Sequence, residues 1–251
     1  MTKVIMHGCN GRVGQIITTL AKEDSSFEVV AGVDKFDDGH NSYPVFNSLA
    51  ECDVDADVVI DFSNSSAVDN LLDAAVAKNI PVVLCTTGLS EEQLAKVKAD
   101  SEKIAILRSA NMSLGINLLL KLVKEAAGVL YPAGFDIEVV EKHHKHKLDA
   151  PSGTAIALAE AVNEELDGEL EFVFNRSDRR IERPEKEIGI SAVRGGSIVG
   201  DHDVIYAGAD EVITISHTAY SRAVFAKGAV EAAKYLAGKQ PGLYNMSNVI
   251  G

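Results

Sequence analysis

The sequence has no tryptophan, and aromatic residues make up only 6% of it, so a core must be built from aliphatic side chains. Cysteine is scarce too. The three present, Cys9, Cys52 and Cys85, are odd in number and far apart, which argues against a disulfide framework and for a reducing compartment. No apolar segment is long enough to cross a bilayer. Met1-Thr-Lys leads straight into an apolar run too short for the core of a secretion signal. A cytoplasmic protein with no membrane partner is expected. Positive charge is also short: 24 Lys and Arg against 37 Asp and Glu leave a formal net charge of −13. A chain so acidic offers no footprint for a polyanion, so no nucleic-acid partner is expected.

What is present is the composition of an ordinary globular protein. The 251 residues are 46% hydrophobic and 24% charged, with a mean hydropathy of +0.05. That length allows one large domain or two modest ones.

The scarce positive charge is concentrated in one place. Three histidines and three lysines fall between Lys142 and Lys147. A turn signal follows at Ala150-Pro151, and then a helix start with Ser152 as N-cap and Gly153-Thr154 as its first exposed amides. Cations beside a helix N-terminus suit an anion, most naturally a carboxylate or phosphate of a small molecule. The histidines and Lys147 can also move protons near neutral pH. On charge alone such a run is more often a solvated face. A metal site at His143, His144 and His146 is disfavoured, because no Cys pair or His-Glu-x-x-His motif supplies the remaining ligands. No metal is expected.

The first half alternates. Val4–His7 reads as a buried strand and leads into Gly8-Cys9-Asn10-Gly11-Arg12-Val13-Gly14. Gly8 permits a tight turn, Gly11 lets the backbone approach a pyrophosphate, and Gly14 lets the next helix pack closely on the strand. Helical spacing of Val13, Ile16, Ile17 and Leu20 follows, then a strand, Phe27–Val33, ending in Asp34-Lys35. Asp34 lies where a dinucleotide fold places the carboxylate that holds the adenosine ribose. Lys35 can neutralise a 2′-phosphate, so use of both NADH and NADPH is expected. Further strands over Asp57–Phe62, Pro81–Leu84 and Ile104–Leu107 alternate with helices over Ala67–Ala77 and from the Ser90-Glu-Glu-Gln93 capping box to about Asp100. The pattern predicts a doubly wound parallel sheet. Its strand tips, including Phe62-Ser63, Cys85-Thr86-Thr87-Gly88 and Ser109-Ala110-Asn111-Met112, outline one crevice.

The second half changes character. A long apolar helix runs from Ser113-Leu-Gly115 to about Ala127, and Phe135–Val140 alternates as a strand that delivers the charged stretch. A helix is predicted over Ser152–Leu166, and residues 168–190 read as an irregular excursion. Strands are predicted over Ile190–Val193, Ser197–Val199, Asp203–Ala207 and Glu211–His217, forming a mixed or antiparallel sheet. A helix over Ser221–Ala237 closes the pattern. The expected fold class is therefore α/β. A Rossmann-type dinucleotide domain over residues 1–112 is followed by an α+β domain over 113–218, and the closing helix, 219–238, is expected to pack back on the first.

Together these residues resemble a known family. Glu141-x-His143-His144-x-x-Lys147-x-Asp149-x-Pro151-Ser152-Gly153-Thr154-Ala155 is similar to the signature of the 4-hydroxy-tetrahydrodipicolinate (dihydrodipicolinate) reductases of the diaminopimelate and lysine pathway. Gly8-x-x-Gly11-Arg12-x-Gly14, Asp61-Phe62-Ser63, Thr86-Thr87-Gly88, Asn111–Gly115, Arg194-Gly195-Gly196, His217 and Gly242–Met246 match along the rest of the chain. The resemblance implies NAD(P)H-dependent reduction of an unsaturated dicarboxylate ring to tetrahydrodipicolinate. It implies His143 as proton donor or acceptor and Lys147 as proton donor, with His144, Ser152, Gly153 and Thr154 on the substrate's carboxylates. It also implies a homotetramer built through the second domain's sheet. Two positions depart from the family's usual pattern: Lys35 stands where Arg is common, and Cys85 where Gly is common. Rival readings are another nicotinamide oxidoreductase acting on a different small acid, and a nucleotide sensor without chemistry. Retention of His143 with Lys147 beside the Ser-Gly-Thr helix start discriminates against the sensor.

Overall fold

The computed structural model describes every residue of the chain except Asp38 and Asp178. It forms two compact units, Met1–Leu114 with Ala223–Gly251, and Gly115–Arg222.

In the first unit the order is β1 (Thr2–His7), α1 (Arg12–Glu23), β2 (Phe27–Val33), β3 (Val45–Phe46), β4 (Val58–Asp61), α2 (Ser65–Lys78), β5 (Val82–Leu84), α3 (Glu91–Ser101) and β6 (Ala105–Arg108). The sheet is parallel throughout, in the order β12-β6-β5-β4-β1-β2-β3, where β12 is Gly242–Tyr244 from the end of the chain. The predicted doubly wound sheet is therefore present. Because helices cover both faces, β1 buries successive residues in opposite directions. Val4 and Met6 join one aliphatic cluster with Ile17 of α1, whereas Ile5 joins another with Leu71 and Leu72 of α2 and Val97 of α3. Each such Leu, Ile or Val contributes about 1.5–3 kcal/mol by leaving water.

Local chemistry opens these helices, α2 two residues before the expected Ala67 and α3 at the expected capping box. The side chain of Asn64 caps α2 by accepting from Ser66 N, and the reciprocal Ser90–Gln93 capping box opens α3. Two strands were not legible in advance. β3 and β12 have only two and three residues and lie at the sheet's edges, too short to show a period.

The second unit contains α4 from Gly115 onward (the helix spans Leu114–Leu130), β7 (Asp136–His143), α5 (Gly153–Glu165), β8 (Glu171–Val173), β9 (Glu187–Arg194), β10 (Gly200–Ala207) and β11 (Val212–Ala219). The sheet order is β11-β10-β7-β9-β8, with β10 antiparallel to both neighbours and β9 parallel to β7 and β8. This is the mixed sheet expected. Ile116, Leu119, Val123 and Ala127 recur at helical spacing along α4 and meet Ile137, Val139, Val204 and Tyr206 in one core. The Tyr206 hydroxyl donates to Val123 O at 2.6 Å, which satisfies a polar tip inside that core.

Two expectations are corrected here. Ser197–Val199 is a connection, not a strand. β9 and β10 flank β7 on opposite sides, so the residues joining them must cross the end of β7 and cannot stay in the sheet. Residues 168–190 are not irregular throughout, since they contain β8 and the start of β9. Charge hid them: Glu187 points inward (3% exposed) because Arg176 Nε and Arg179 Nη2 donate to it at 2.8 and 2.7 Å.

The chain returns through α6 (Ala223–Leu236), β12 and α7 (Met246–Ile250). Ala226, Ala229, Ala232, Ala233 and Leu236 of α6 are buried in the first unit's core with Ile17, Ile60 and Val83. A Cβ on Gly228 would lie 1.7 Å from Met112 O, so only glycine allows that approach. Among the described residues, no helix is long and apolar enough to cross a membrane.

Candidate active site

In the first unit the sheet's winding reverses between β1 and β4, and ligands of such sheets bind outside the strands' carboxyl ends at that point. A cleft of about 560 Å³ lies there. Its walls include Gly8, Asn10, Gly11, Asp34, Lys35, Phe62 and Ser63 of the expected cofactor residues, together with His7, Asn47, Ser48 and Asn70. The glycines of the loop are required by the chain's own packing. Gly8 has φ +84°, and a Cβ there would lie 2.7 Å from Phe62 O; a Cβ on Gly14 would lie 2.4 Å from Gly8 O. Asp34 braces the loop, accepting from Asn10 N at 3.0 Å and Lys35 N at 2.8 Å.

The other expected cofactor residues lie off the cleft wall. Cys9 is fully buried under the loop, where burial and Asp34 push its thiol up to about 12. Arg12 is exposed and Val13 half-buried at the start of α1. Cys85, Thr86, Thr87 and Gly88 follow β5, and Ser109, Ala110, Asn111 and Met112 follow β6, so both tips share the sheet's carboxyl edge without lining the cleft. The Cys85 thiol is held well above its ordinary pKa, first by burial and then by Asp61. Met112 is buried in the core.

One feature of the cleft floor escaped sequence reasoning. His7 and Asp61 end neighbouring strands in register, and His7 Nδ1 lies 2.6 Å from Asp61 Oδ1. The pairing depends on strand order, which the sequence does not display.

In the second unit the site grows from the period of β7. The alternation that buries Ile137 and Val139 also turns Glu141 and His143 inward. From β10, His202 enters the same face beside Val204 and Tyr206. Glu141 is wholly buried and accepts four hydrogen bonds. His143 Nδ1 and Arg194 Nη1 approach its Oε2 at 2.6 and 2.7 Å. Arg194 Nη2 and the Ser152 amide donate to its Oε1 at 2.6 and 2.9 Å. Burial pushes the Glu141 carboxyl up, but the bonds from Arg194, His143 and Ser152 outweigh it, and its pKa lies below the usual glutamate value.

Ser152 caps α5 as expected, its hydroxyl accepting from Ala155 N at 3.2 Å. The same hydroxyl lies 3.1 Å from His202 Nε2. Burial, followed by the charge of His143, pulls the pKa of His202 down to about 4. Gly153 is exposed and Thr154 half-buried on the first turn. Lys147 Nζ pairs with Asp149 Oδ1 at 2.9 Å. His144, Lys145, His146, Gly196, Ser197 and Arg222 line an open depression of about 640 Å³. Of the expected substrate residues only His144 lines it, while His143, Lys147 and the Ser152–Thr154 turn lie along the adjoining segment. Among the described residues no group of three or more His, Cys, Asp or Glu is placed to hold a metal ion.

Buried ion pairing around an imidazole, next to a half-buried lysine and a helix N-terminus, can move a proton and bind carboxylates. Known proteins resemble this chain along its whole length. Residues 2–112 match the family described as dihydrodipicolinate reductase, N-terminus, and residues 115–250 match its C-terminus. A protein of Caldanaerobacter subterraneus named 4-hydroxy-tetrahydrodipicolinate reductase is 56% identical over 250 residues, covering 100% of this chain and 98% of that one. One of the same name from Clostridium novyi is 50% identical over 251 residues, covering 100% and 98%. A solved dipicolinate-bound dihydrodipicolinate reductase from a Paenisporosarcina species shares the fold, with a TM-score of 0.83 at 24% identity over 99% of each chain. With both halves matched and relatives of half or more identity along its whole length, this chain belongs to the dihydrodipicolinate reductase family.

Proposed function

We propose that this protein uses NADH or NADPH to reduce 4-hydroxy-tetrahydrodipicolinate to tetrahydrodipicolinate in diaminopimelate and lysine biosynthesis. The observation that carries the reading is the second unit's arrangement of His143 and Lys147 beside the Ser152-capped start of α5.

The first unit is the dinucleotide domain in this reading. Gly8, Cys9, Asn10, Gly11, Arg12, Val13 and Gly14 form the loop for the pyrophosphate, with Phe62, Ser63, Cys85–Gly88 and Ser109–Met112 along the same edge. Asp34 holds the ribose hydroxyls and Lys35 meets a 2′-phosphate, so both nucleotides serve. A reduced nicotinamide bound there supplies hydride.

The second unit binds the dicarboxylate and carries the acid. His144 and the amides of Gly153 and Thr154 receive carboxylates, each charge-assisted hydrogen bond contributing about 1.5–3 kcal/mol. Lys147 delivers a proton to the reduced ring, and His143 takes part in the transfer. No metal enters this chemistry. A homotetramer is part of the proposal, supported by the edge strand β11, where Val212 and Ile213 are 62% and 38% exposed. A cytoplasmic location is supported by three free cysteines.

The test is reduced-nicotinamide absorbance with substrate generated in place from pyruvate and aspartate semialdehyde. Oxidation well above background is expected, with dipicolinate competing against substrate. No oxidation above background sinks the reading.

A further inference from the structure

The buried carboxylate of Glu141 reaches two parts of the proposed site at once. One oxygen meets His143 Nδ1, and the other meets the amide of Ser152, the residue that opens α5. Arg194 grips both oxygens with its two terminal nitrogens. Strand register makes the meeting possible: Glu141 stands opposite His202 on one side of β7, and His143 opposite Arg194 on the other.

We propose that Glu141, braced by Arg194, is a positioning residue that fixes the tautomer of His143 and the placement of the Ser152–Thr154 turn together. The inference rests on the reductase reading above. Its physical basis is the count of donors and acceptors. A carboxylate paired with a guanidinium only accepts hydrogen bonds, so the proton at the His143 contact must sit on Nδ1. The nitrogen left for chemistry is then Nε2, able to accept a proton in the neutral ring. Nε2 faces Gly200, where a Cβ would lie 3.1 Å away, so glycine keeps that nitrogen uncrowded. Arg194 also donates to Asp149 O at 2.6 Å, tying the segment between Lys147 and Ser152 to the same anchor.

Glu141→Gln separates this role from simple packing. The amide keeps the size of the side chain, but its NH₂ can only donate. Because the Ser152 amide and Arg194 Nη2 both donate at the Oε1 position, the oxygen stays there and the NH₂ takes the Oε2 position, which turns the His143 contact around so that Nδ1 accepts and Nε2 carries the proton. Nitrogen-15 spectra of histidine-labelled protein at alkaline pH read this directly, with His143 assigned by its loss in His143→Ala. The wild type is expected in the Nδ1–H form and Glu141→Gln in the Nε2–H form.

In the coupled assay, Glu141→Gln is expected to lower kcat about 10²-fold or more, as wrong-tautomer histidines do, and to raise KM about tenfold through the shifted turn. Arg194→Lys keeps the charge but loses the fork, and is expected to move both constants the same way by less. A wild-type His143 in the Nε2–H form overturns the proposal, whether or not the variants fold. So does Glu141→Gln or Arg194→Lys with both constants within about twofold of wild type. A wild-type protein that oxidises no nicotinamide sinks the reductase reading instead and leaves the tautomer result standing.

Discussion

Lys147 Nζ lies 2.9 Å from Asp149 Oδ1, four residues before Gly153 opens α5. A side-chain carboxylate of the protein thus occupies the lysine that is proposed to meet the substrate. Hydrogen bonding to Lys147 holds the Asp149 carboxyl below its usual pKa.

Replacing Lys147, Asp149 and the groups proposed to act with them should separate their roles. Lys147→Ala and His143→Ala are expected to lower kcat by about 10²- to 10⁴-fold, the usual loss for a general acid. Thr154→Val should chiefly raise KM. Asp149→Ala removes the internal carboxylate and should tighten dipicolinate binding by calorimetry. NADH affinity, read by fluorescence without substrate, should hardly change in any of them. If Lys147→Ala raises KM alone, the lysine is a carboxylate clamp and the proton comes from elsewhere.

Lys35 should decide the treatment of the 2′-phosphate. Wild-type affinities for NADH and NADPH are expected within about tenfold, roughly 1.4 kcal/mol. Lys35→Ala should weaken NADPH and spare NADH. Equal weakening of both nucleotides would show that Lys35 does not meet the phosphate.

In the first unit, the Asp61 carboxylate is wholly buried, and its Oδ2 has no hydrogen-bond partner among the described residues. His7 is the cation-capable partner at its other oxygen. Removing one member of a buried pair costs about 3–5 kcal/mol. His7→Ala should lose stability on that scale in urea unfolding. A loss below about 1 kcal/mol would show that His7 does not hold the buried Asp61 side chain in place.

His202 gives the second unit a pH dependence. Its pKa falls from 6.5 to about 4 in the folded protein, so the unfolded chain binds the extra proton between those values. Stability is therefore fully present above about pH 6.5 and declines as pH falls toward about 4, by about 3 kcal/mol in all. His202→Gln should flatten that part of the stability profile measured by denaturant unfolding. An unchanged slope would assign the effect to another group.

The regular parts of this fold were legible because they repeat. Both-faces-buried strands such as β1, the apolar spacing of α1 and α4, the Ser90–Gln93 box and the Ser152 cap each state a local preference that the packing then satisfies. Strand boundaries were less so. Ser197–Val199 has a strand-like composition but must cross over the end of β7, and the inward Glu187 of β9 was hidden by its charge.

For the site, the sequence by itself determined which side chains are proposed to carry chemistry, namely His143, Lys147, the glycine loop and the Asp34–Lys35 pair. Those residues sit within short segments, where spacing along the chain is nearly spacing in space. Only the tertiary structure decided their partners. His7 meets Asp61 across 54 residues, and Arg194 meets Glu141 across 53. Each contact follows from which strands lie side by side, a choice made by burial of whole faces rather than by any residue's local preference.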